Sequence, residues 1–177
     1  RQMCIRDSHR TEFTAKVISC EEAKDGFCVV LDQTAFFPEG GGQYADTGIL
    51  GNTEVTDVHE KNDVIFHSVT APLVGGSIVS GKINWKERFE KMQQHTGEHI
   101  VSGIVHERFG YNNVGFHLGA DYCTMDFDGP ISKAQLKEIE TAANEAVYRN
   151  LEVEVLYPSK EELKDMDYRS KLSLIHI

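Results

Sequence analysis

Residues 85–109 read WKERFEKMQQHTGEHIVSGIVHERF and predict one long amphipathic helix. Apolar side chains recur along it at helical spacing, and Gly110 supplies a stop. His95 and His99 lie four residues apart in this helix, which places their side chains roughly 40° apart around the axis and about 6 Å apart along it. Both imidazoles can therefore reach the same ion. The spacing predicts half of a zinc site, whose other ligands must come from elsewhere in the chain.

A histidine pair on a helix is also typical of two polar residues on a solvated face. The HExxH motif of metalloproteases has its general base directly after the first histidine, where this chain has Thr96. The acid here is Glu98, which would flank the histidine stripe from the opposite side. The protease interpretation therefore fails. Three roles stay open for Glu98: orienting a ligand, activating water, or serving as an ordinary solvated charge.

Composition limits the class of protein. The 177 residues are 40% hydrophobic and 26% charged, which is typical of a globular protein of one or two small domains. No apolar run approaches the roughly 20 residues that span a bilayer, so no membrane partner is expected. Four cysteines without CxxC spacing favour a reducing, cytoplasmic environment. A net charge of -10 excludes a global attraction to nucleic acid, so any tRNA binding needs a local basic patch.

The pattern of the chain changes near Gly81. Before it, about six short runs of β-forming residues alternate with turn signals and predict a small antiparallel β-barrel, assigned to residues 9–83. After it, residues 84–171 follow the order helix, two strands, helix, strand. Ser132 and Gln135 form a capping box at the start of the second helix. The predicted fold class is α+β: a barrel followed by an α+β core whose metal-site helix packs on an antiparallel sheet.

A glycine-rich segment, FPEGGGQ at residues 37–43, is the second informative motif. Consecutive glycines allow positive φ angles and the close approach of a ligand or another backbone. Gln43 adds a donor and an acceptor at a fixed point. The segment lacks the Lys-Ser/Thr of a phosphate-binding loop and the spacing of a dinucleotide-binding loop. An ordinary hairpin loop remains the alternative.

Other histidines and the one cysteine of the second half are weaker candidates. His117, in the segment VGFHLG, is predicted to face the metal helix across the core. His106 lies about 10 Å beyond His99 along the helix, too far to bind the same ion. His67 is interpreted as an ordinary strand residue, and Cys123 as a buried structural thiol.

The two motifs together resemble a known family. TAFFPEGGGQYADTG at residues 34–48, followed by MQQHTGEHIVSGI at residues 92–104, closely resembles the alanyl-tRNA editing proteins. These are free-standing relatives of the editing domain of alanyl-tRNA synthetase and, more distantly, of the threonyl enzyme's editing region. The segments FHLG and TMDFD are similar to the strands that follow the metal helix in that family. The resemblance covers roughly residues 13–172.

The resemblance implies a role for each matching residue. It makes His95 and His99 the first two zinc ligands, and it implies that Thr34 recognises the hydroxyl of a mischarged serine. The expected catalytic and substrate-binding residues are Gln43, Thr34 and Glu98, together with Gly40, Gly41, Gly42 and His117.

The implied reaction is hydrolysis of the ester that links serine, or glycine, to the tRNA for alanine. An aminoacyl ester is already reactive, so the enzyme mainly positions it beside water and stabilises the developing oxyanion. A polar site that hydrogen-bonds the serine hydroxyl discriminates strongly against alanine. Mischarged tRNA(Ala) is therefore the expected partner, and Zn2+ the expected cofactor.

The resemblance also implies two further zinc ligands from a later Cys-x-x-x-His segment, which is not present in this sequence. We therefore expect a C-terminally truncated chain that binds zinc weakly, because affinity depends on ligand count. Residues 1–8 and 172–177 match no surrounding pattern and are expected to be sequence scars or disordered ends.

Two alternatives to the hydrolase remain. One is a non-catalytic tRNA-binding module of the same family, whose phosphate contacts would come from a cluster of cations: Lys82, Lys86, Arg88 and Lys91. These cations are equally typical of a solvated helix face. The other is an unrelated metallohydrolase, which the absence of HExxH argues against.

Overall fold

The computed structural model describes residues 3–4, 8–119, 122–152, 158–159 and 161–166. Its ten strands are β1 (Met3–Cys4), β2 (Glu12–Ala23), β3 (Gly26–Leu31), β4 (Gln33–Thr34), β5 (Gly48–Leu50), β6 (Thr53–Lys61), β7 (Val64–Val69), β8 (Ile78–Ile83), β9 (Asn113–Leu118) and β10 (Cys123–Phe127). Its helices are α1 (Trp85–Phe109), α2 (Lys133–Tyr148) and α3 (Glu162–Asp165). The chain divides into two compact units, residues 1–95 with 117–123, and residues 96–116 with 124–177.

The first unit contains the predicted barrel. Six strands close in the order β2-β3-β7-β6-β5-β8, with every described pair antiparallel. Burial alternates along the strands, as the two-residue repeat of a strand requires, so that alternate side chains fill the interior. The hydrophobic core of the barrel includes Phe13, Leu31, Phe36, Leu50 and Ile65. Closure leaves these six strands without an unpaired edge.

One glycine is required by packing inside the barrel. Gly81 in β8 is the register partner of Phe13 in β2. A Cβ atom at Gly81 would lie 2.3 Å from the Phe13 ring, a distance that no side chain could occupy. The absent side chain therefore lets an aromatic ring fill this layer of the barrel.

The predicted helix is confirmed over its whole range. α1 ends at Gly110, whose φ of +71° is favourable for glycine and whose N–H donates to the His106 carbonyl at 2.9 Å. No helix within the described part of the chain is long and apolar enough to cross a membrane.

The second unit confirms the predicted capping box. Ser132 caps α2: its Oγ accepts the Gln135 N–H, and Gln135 Oε1 accepts the Ser132 N–H. Strands β9 and β10 form a separate two-stranded sheet. In this unit Val105 of α1 and Ile139 of α2 are buried, and α3 begins where Ser159 and Glu162 exchange hydrogen bonds. The predicted class, α+β, is confirmed.

Some predictions concern segments outside the described residues. They are the strand predicted at 152–157, of which 153–157 are not described, and the terminal segment 172–177. At the other terminus β1 pairs in parallel with β4. The assignment of residues 1–8 as a scar stays a prediction.

Candidate functional site

The glycine-rich loop of the first unit is closed by a tight turn. The N–H of Gly40 donates to the Gln43 carbonyl at 3.1 Å, and the N–H of Gln43 donates back to the Gly40 carbonyl at 3.0 Å. Gly41 and Gly42 lie between them with φ values of +61° and +82°. Two successive positive φ angles define a type I′ turn, which favours glycine at both central positions. The sequence GGGQ is therefore explained locally by this backbone conformation.

The segment after the turn is fastened to the first part of α1 by successive hydrogen bonds. The two segments run antiparallel, so partners nearer the start of the loop segment lie further along the helix. The bonds are Thr47 Oγ1 to Glu87 Oε2 at 2.8 Å, Arg88 Nε to Asp46 Oδ1 at 2.8 Å, Lys91 Nζ to the Ala45 carbonyl at 2.7 Å, and His95 Nδ1 to Gln43 Oε1 at 3.0 Å. The helix residues share one stripe because residues three and four apart are neighbours on a helix. This ladder of contacts places the loop against His95.

The centre of the ladder is a buried ion pair. Arg88 is 5% exposed and Asp46 is 1% exposed. The Arg88 guanidinium contacts both oxygens of Asp46, and its remaining donors bond the carbonyls of Ala35 and Ser8 at 2.8 and 2.9 Å. Asp46 Oδ2 also accepts the N–H of Phe37 at 2.7 Å, so it ties the two ends of the loop together.

The cluster of cations predicted for phosphate binding is therefore wrong for Arg88, whose charge is enclosed by Asp46. Lys91 is engaged with the Ala45 carbonyl, and Lys82 lies 3.3 Å from Glu12 in an exposed pair. Burial of a charge requires a partner, and Asp46 supplies it for Arg88.

His95 joins the helix to the loop. Its Nδ1 lies 3.0 Å from Gln43 Oε1, and a Cβ atom at Gly41 would lie 3.8 Å from its Cε1. An amide oxygen only accepts, so this bond places the proton of a neutral His95 ring on Nδ1. The lone pair then lies on Nε2, the arrangement that a metal ligand needs.

Glu98 is not the solvated charge that one interpretation of the sequence allowed. It is 2% exposed, and its Oε1 accepts from Ser102 Oγ at 2.6 Å and from Asn113 Nδ2 at 2.7 Å. Its Oε2 lies 3.3 Å from Nδ1 of His99. Glu98 therefore forms part of a hydrogen-bonded cluster within the second unit.

Ligand-type atoms of His95, Glu98 and His99 on α1 all lie within 4.8 Å of one another. Two imidazole nitrogens and a carboxylate oxygen are donors that Zn2+ accepts in proteins, commonly in sites with three protein ligands. The chemistry of this donor set fits the predicted metal.

A pocket of about 440 Å3 lies in the first unit, beside the loop and α1. Its lining includes Tyr44, Lys91, Gln94, Tyr122 and Cys123. Burial raises the pKa of the Cys123 thiol, so this group is a protonated thiol at neutral pH. Cys123 is half-buried and its Sγ donates to Gln94 Oε1 at 3.5 Å, a position less enclosed than predicted.

Two other predicted site residues have partners elsewhere in the first unit. Thr34 is fully buried, and its Oγ1 lies 2.9 Å from His67 Nε2 and accepts the Phe36 N–H at 3.1 Å. His117 is exposed and lies against Tyr44, with its Nε2 3.2 Å from the tyrosine hydroxyl.

His67 is a fully buried ring in the barrel. Its Nδ1 lies 3.1 Å from the Val29 carbonyl. Burial lowers the pKa of His67 to about 4, against the opposing effect of the Val29 bond. The ring is therefore neutral at pH 7.

Sequence reasoning missed Asp46, Ser102 and Asn113, and assigned Arg88 to the wrong surface. The spacing of Arg88, Lys91 and His95 on one helical stripe was an available signal for the ladder. Nothing in the sequence around Asn113 indicated its partner, because that contact depends on how β9 approaches α1 within the second unit.

Comparison with known proteins agrees with the resemblance that the two motifs predict. A family model described as tRNA synthetases class II (A) matches residues 4–87.

The chain is 34% identical over 167 residues to the alanyl-tRNA editing protein Aarsd1 of Rattus norvegicus, covering 86% of this chain and 40% of that protein. It is 39% identical over 163 residues to the alanine–tRNA ligase of Pyrococcus furiosus, covering 86% of this chain and 17% of the ligase. The chain is therefore a relative of the alanyl-tRNA editing proteins and the alanine–tRNA ligases, and the predicted resemblance is confirmed. It spans about 40% of the length of these editing proteins.

Proposed function

We propose that this chain is part of an aminoacyl-tRNA ester hydrolase that removes serine, or glycine, from mischarged tRNA(Ala). The observation that carries the proposal is the 3.0 Å bond between His95 Nδ1 and Gln43 Oε1, because it joins the two motifs of the chain. The names of the relatives, alanyl-tRNA editing proteins, support the same class of reaction. Each motif alone is compatible with a hairpin loop or a polar helix face.

The residues of the first unit would bind and orient the ester. The type I′ turn lets the backbone at Gly41 approach the His95 ring without an intervening side chain. The pocket beside Tyr44 and Gln94 offers aromatic surface together with polar groups for the aminoacyl end of the substrate. Such positioning is the main requirement for an ester that is already reactive.

His95 and His99 would hold a zinc ion, with the two further ligands that the family resemblance implies. When bound, the ion supplies charge stabilisation to a carbonyl oxygen or to a bound water. Gln43 acts here through His95: its Oε1 is engaged by the ring, so we assign it a positioning role in place of direct catalysis. The protonated Cys123 thiol offers no nucleophile that would compete with water.

Recognition of serine by Thr34 stays a prediction. The Thr34 hydroxyl is already hydrogen-bonded to His67. The pocket supplies a second source of hydrogen bonds to a serine hydroxyl, through Tyr44 and Gln94. We expect selectivity for serine over alanine to be lost in the variant that removes the group bonded to the serine hydroxyl. Comparing Thr34→Val with Gln94→Ala in the same assay separates these two sources.

The direct test measures deacylation of Ser-tRNA(Ala), Gly-tRNA(Ala) and Ala-tRNA(Ala) by the full-length protein of which this chain is proposed to be part, with added Zn2+ and with a chelator. We expect hydrolysis of the serine and glycine esters in preference to the alanine ester, with loss of the rate in the chelator. His95→Ala and His99→Ala should each abolish it. His106→Ala is the matched control, because His106 is exposed on the same helix.

Several outcomes would contradict the proposal. They are unchanged rates in the His95 and His99 variants, equal rates on all three esters, or binding of the tRNA without turnover in the presence of Zn2+. The last result would favour the non-catalytic module instead.

A further inference from the structure

We propose that Glu98 is a positioning residue for His99, and that Ser102 and Asn113 hold Glu98 in place for this task. The inference rests on the proposed function only in that His99 is a predicted metal ligand. It concerns four residues of the second unit, and it assigns roles to Ser102 and to Asn113, the second of which lies outside both motifs.

The Glu98 carboxylate is fixed on one side by two donors. Ser102 Oγ donates to Oε1 at 2.6 Å, and Asn113 Nδ2 donates to the same oxygen at 2.7 Å. Asn113 Nδ2 also lies 2.9 Å from Ser102 Oγ, so the three side chains form a closed triangle. Glu98 and Ser102 are both buried, at 2% and 5% exposure, where such bonds are strong and solvent competes little.

The amide of Asn113 is itself fixed. Its Oδ1 accepts the N–H of Gly115 at 3.0 Å, which orients the amide and leaves Nδ2 to donate to Glu98. A Cβ atom at Gly115 would lie 2.8 Å from the Asp126 carboxylate, so glycine permits close packing at this point of the strand. The helix side chains are thus locked to β9 by a residue whose own orientation is determined.

The other carboxylate oxygen faces the histidine. Oε2 of Glu98 lies 3.3 Å from Nδ1 of His99. The His99 side chain is 61% exposed whereas that of Glu98 is 1% exposed. Packing therefore constrains the ring weakly, and the buried carboxylate is the rigid member of the pair. The contact is a close polar approach and does not meet hydrogen-bond geometry. A carboxylate oxygen beside Nδ1 favours a proton on that nitrogen, which leaves the lone pair on Nε2.

The same logic applies to the other histidine, by a different group. His95 is held through Nδ1 by the amide oxygen of Gln43, and Nδ1 of His99 lies 3.3 Å from a carboxylate oxygen of Glu98. In each case an acceptor on Nδ1 leaves Nε2 as the donor atom for a metal. Because Oε1 is committed to two donors, Oε2 is the oxygen left to act, and we assign it to His99 Nδ1.

The test measures the tautomer of His99 by long-range 1H–15N correlation in the metal-free protein, at a pH where the ring is neutral. We expect the proton on Nδ1 in the wild type. In Glu98→Gln, the amide oxygen can keep the Ser102 and Asn113 bonds, which turns an amide N–H toward Nδ1. His99 should then switch to the Nε2–H tautomer, while the His95 signals stay unchanged.

Ser102→Ala and Asn113→Ala should each give a mixture of the two tautomers, and Ser102→Thr, which keeps the hydroxyl, should restore the wild-type signal. Thr96→Ala, an exposed change on the same helix, is the control for indirect effects. Amide spectra establish that each variant is folded. If Asn113→Ala does not fold, Ser102→Ala provides the same test.

A wild-type His99 with its proton on Nε2 would overturn the proposal, as would a Glu98→Gln variant with an unchanged tautomer. The measurement needs neither tRNA nor metal. If the wild type has the expected His99 tautomer but does not deacylate the tRNA, only the proposed function is refuted. If the wild type is active but His99 carries its proton on Nε2, only the role of Glu98 is refuted.

Discussion

Replacing Arg88 by methionine should destabilise the first unit strongly. The substitution keeps most of the side-chain volume and removes the charge that balances Asp46. In the folded protein Asp46 is 1% exposed and receives both Arg88 Nε bonds, at 2.8 and 2.9 Å. Without Arg88 the carboxylate keeps only the Phe37 N–H among the contacts described above, and it stays buried.

The expected loss follows from that arrangement. Removing one member of a buried ion pair costs about 3–5 kcal/mol, because the other charge is left uncompensated. For a chain of this length each kcal/mol lowers the melting temperature by about 2–4 °C, so the expected decrease is roughly 6–20 °C.

Urea unfolding followed by the fluorescence of Trp85, the single tryptophan of the chain, measures the change. The double variant Arg88→Met with Asp46→Ala should lose less than the sum of the single variants, since both charges are then absent. Lys82→Ala is the matched control: its pair with Glu12 lies at 3.3 Å with side chains 71% and 68% exposed, so we expect at most about 1 kcal/mol.

A loss from Arg88→Met no larger than that from Lys82→Ala would refute the reasoning. So would strict additivity of the double variant, since it would mean that the two side chains do not stabilise each other.

Three further predictions concern stability alone. Burial lowers the pKa of His67 to about 4 from an ordinary 6.5. As the pH falls, His67 is therefore protonated near pH 6.5 in the unfolded chain but only near pH 4 in the folded chain. Stability contributed by His67 should thus fall by about 3 kcal/mol as the pH drops through this window, and a His67→Gln variant should lack this component in urea titrations. Gly41→Ala should cost about 1–2 kcal/mol of folding free energy through the strain of its φ of +61°. No clash adds to this cost, because the nearest described atom would lie 3.8 Å from the new Cβ. Gly97→Ala in α1 should instead stabilise the protein by about 0.5–1 kcal/mol. Gly81→Ala should cost about 1–3 kcal/mol in thermal unfolding, because its Cβ would meet the Phe13 ring at 2.3 Å.

Each of these has a contrary result. Equal pH dependence in wild type and His67→Gln would mean that another group controls stability between pH 6.5 and 4. A Gly41→Ala variant as stable as wild type would argue against the positive φ of the turn. Full stability of Gly81→Ala would mean that Phe13 has room to move.

Local signals were sufficient for much of the fold. The apolar repeat and Gly110 predicted α1 over its exact bounds, and Ser132 with Gln135 predicted the start of α2. Turn residues separated the strands, so their number and the barrel followed from sequence. These features depend on contacts between residues close in the chain, where spacing and side-chain type carry the information.

The sequence by itself also determined the histidine pair on α1 and the glycine turn that ends at Gln43, since helix periodicity and the φ preference of glycine act locally. Only the tertiary structure decided that His95 meets Gln43, that Arg88 is buried against Asp46, and that Glu98 is held by Asn113. Those contacts join residues 52, 42 and 15 positions apart. They form because burying a charge or an amide requires a partner, and which partner comes near depends on how the whole chain packs.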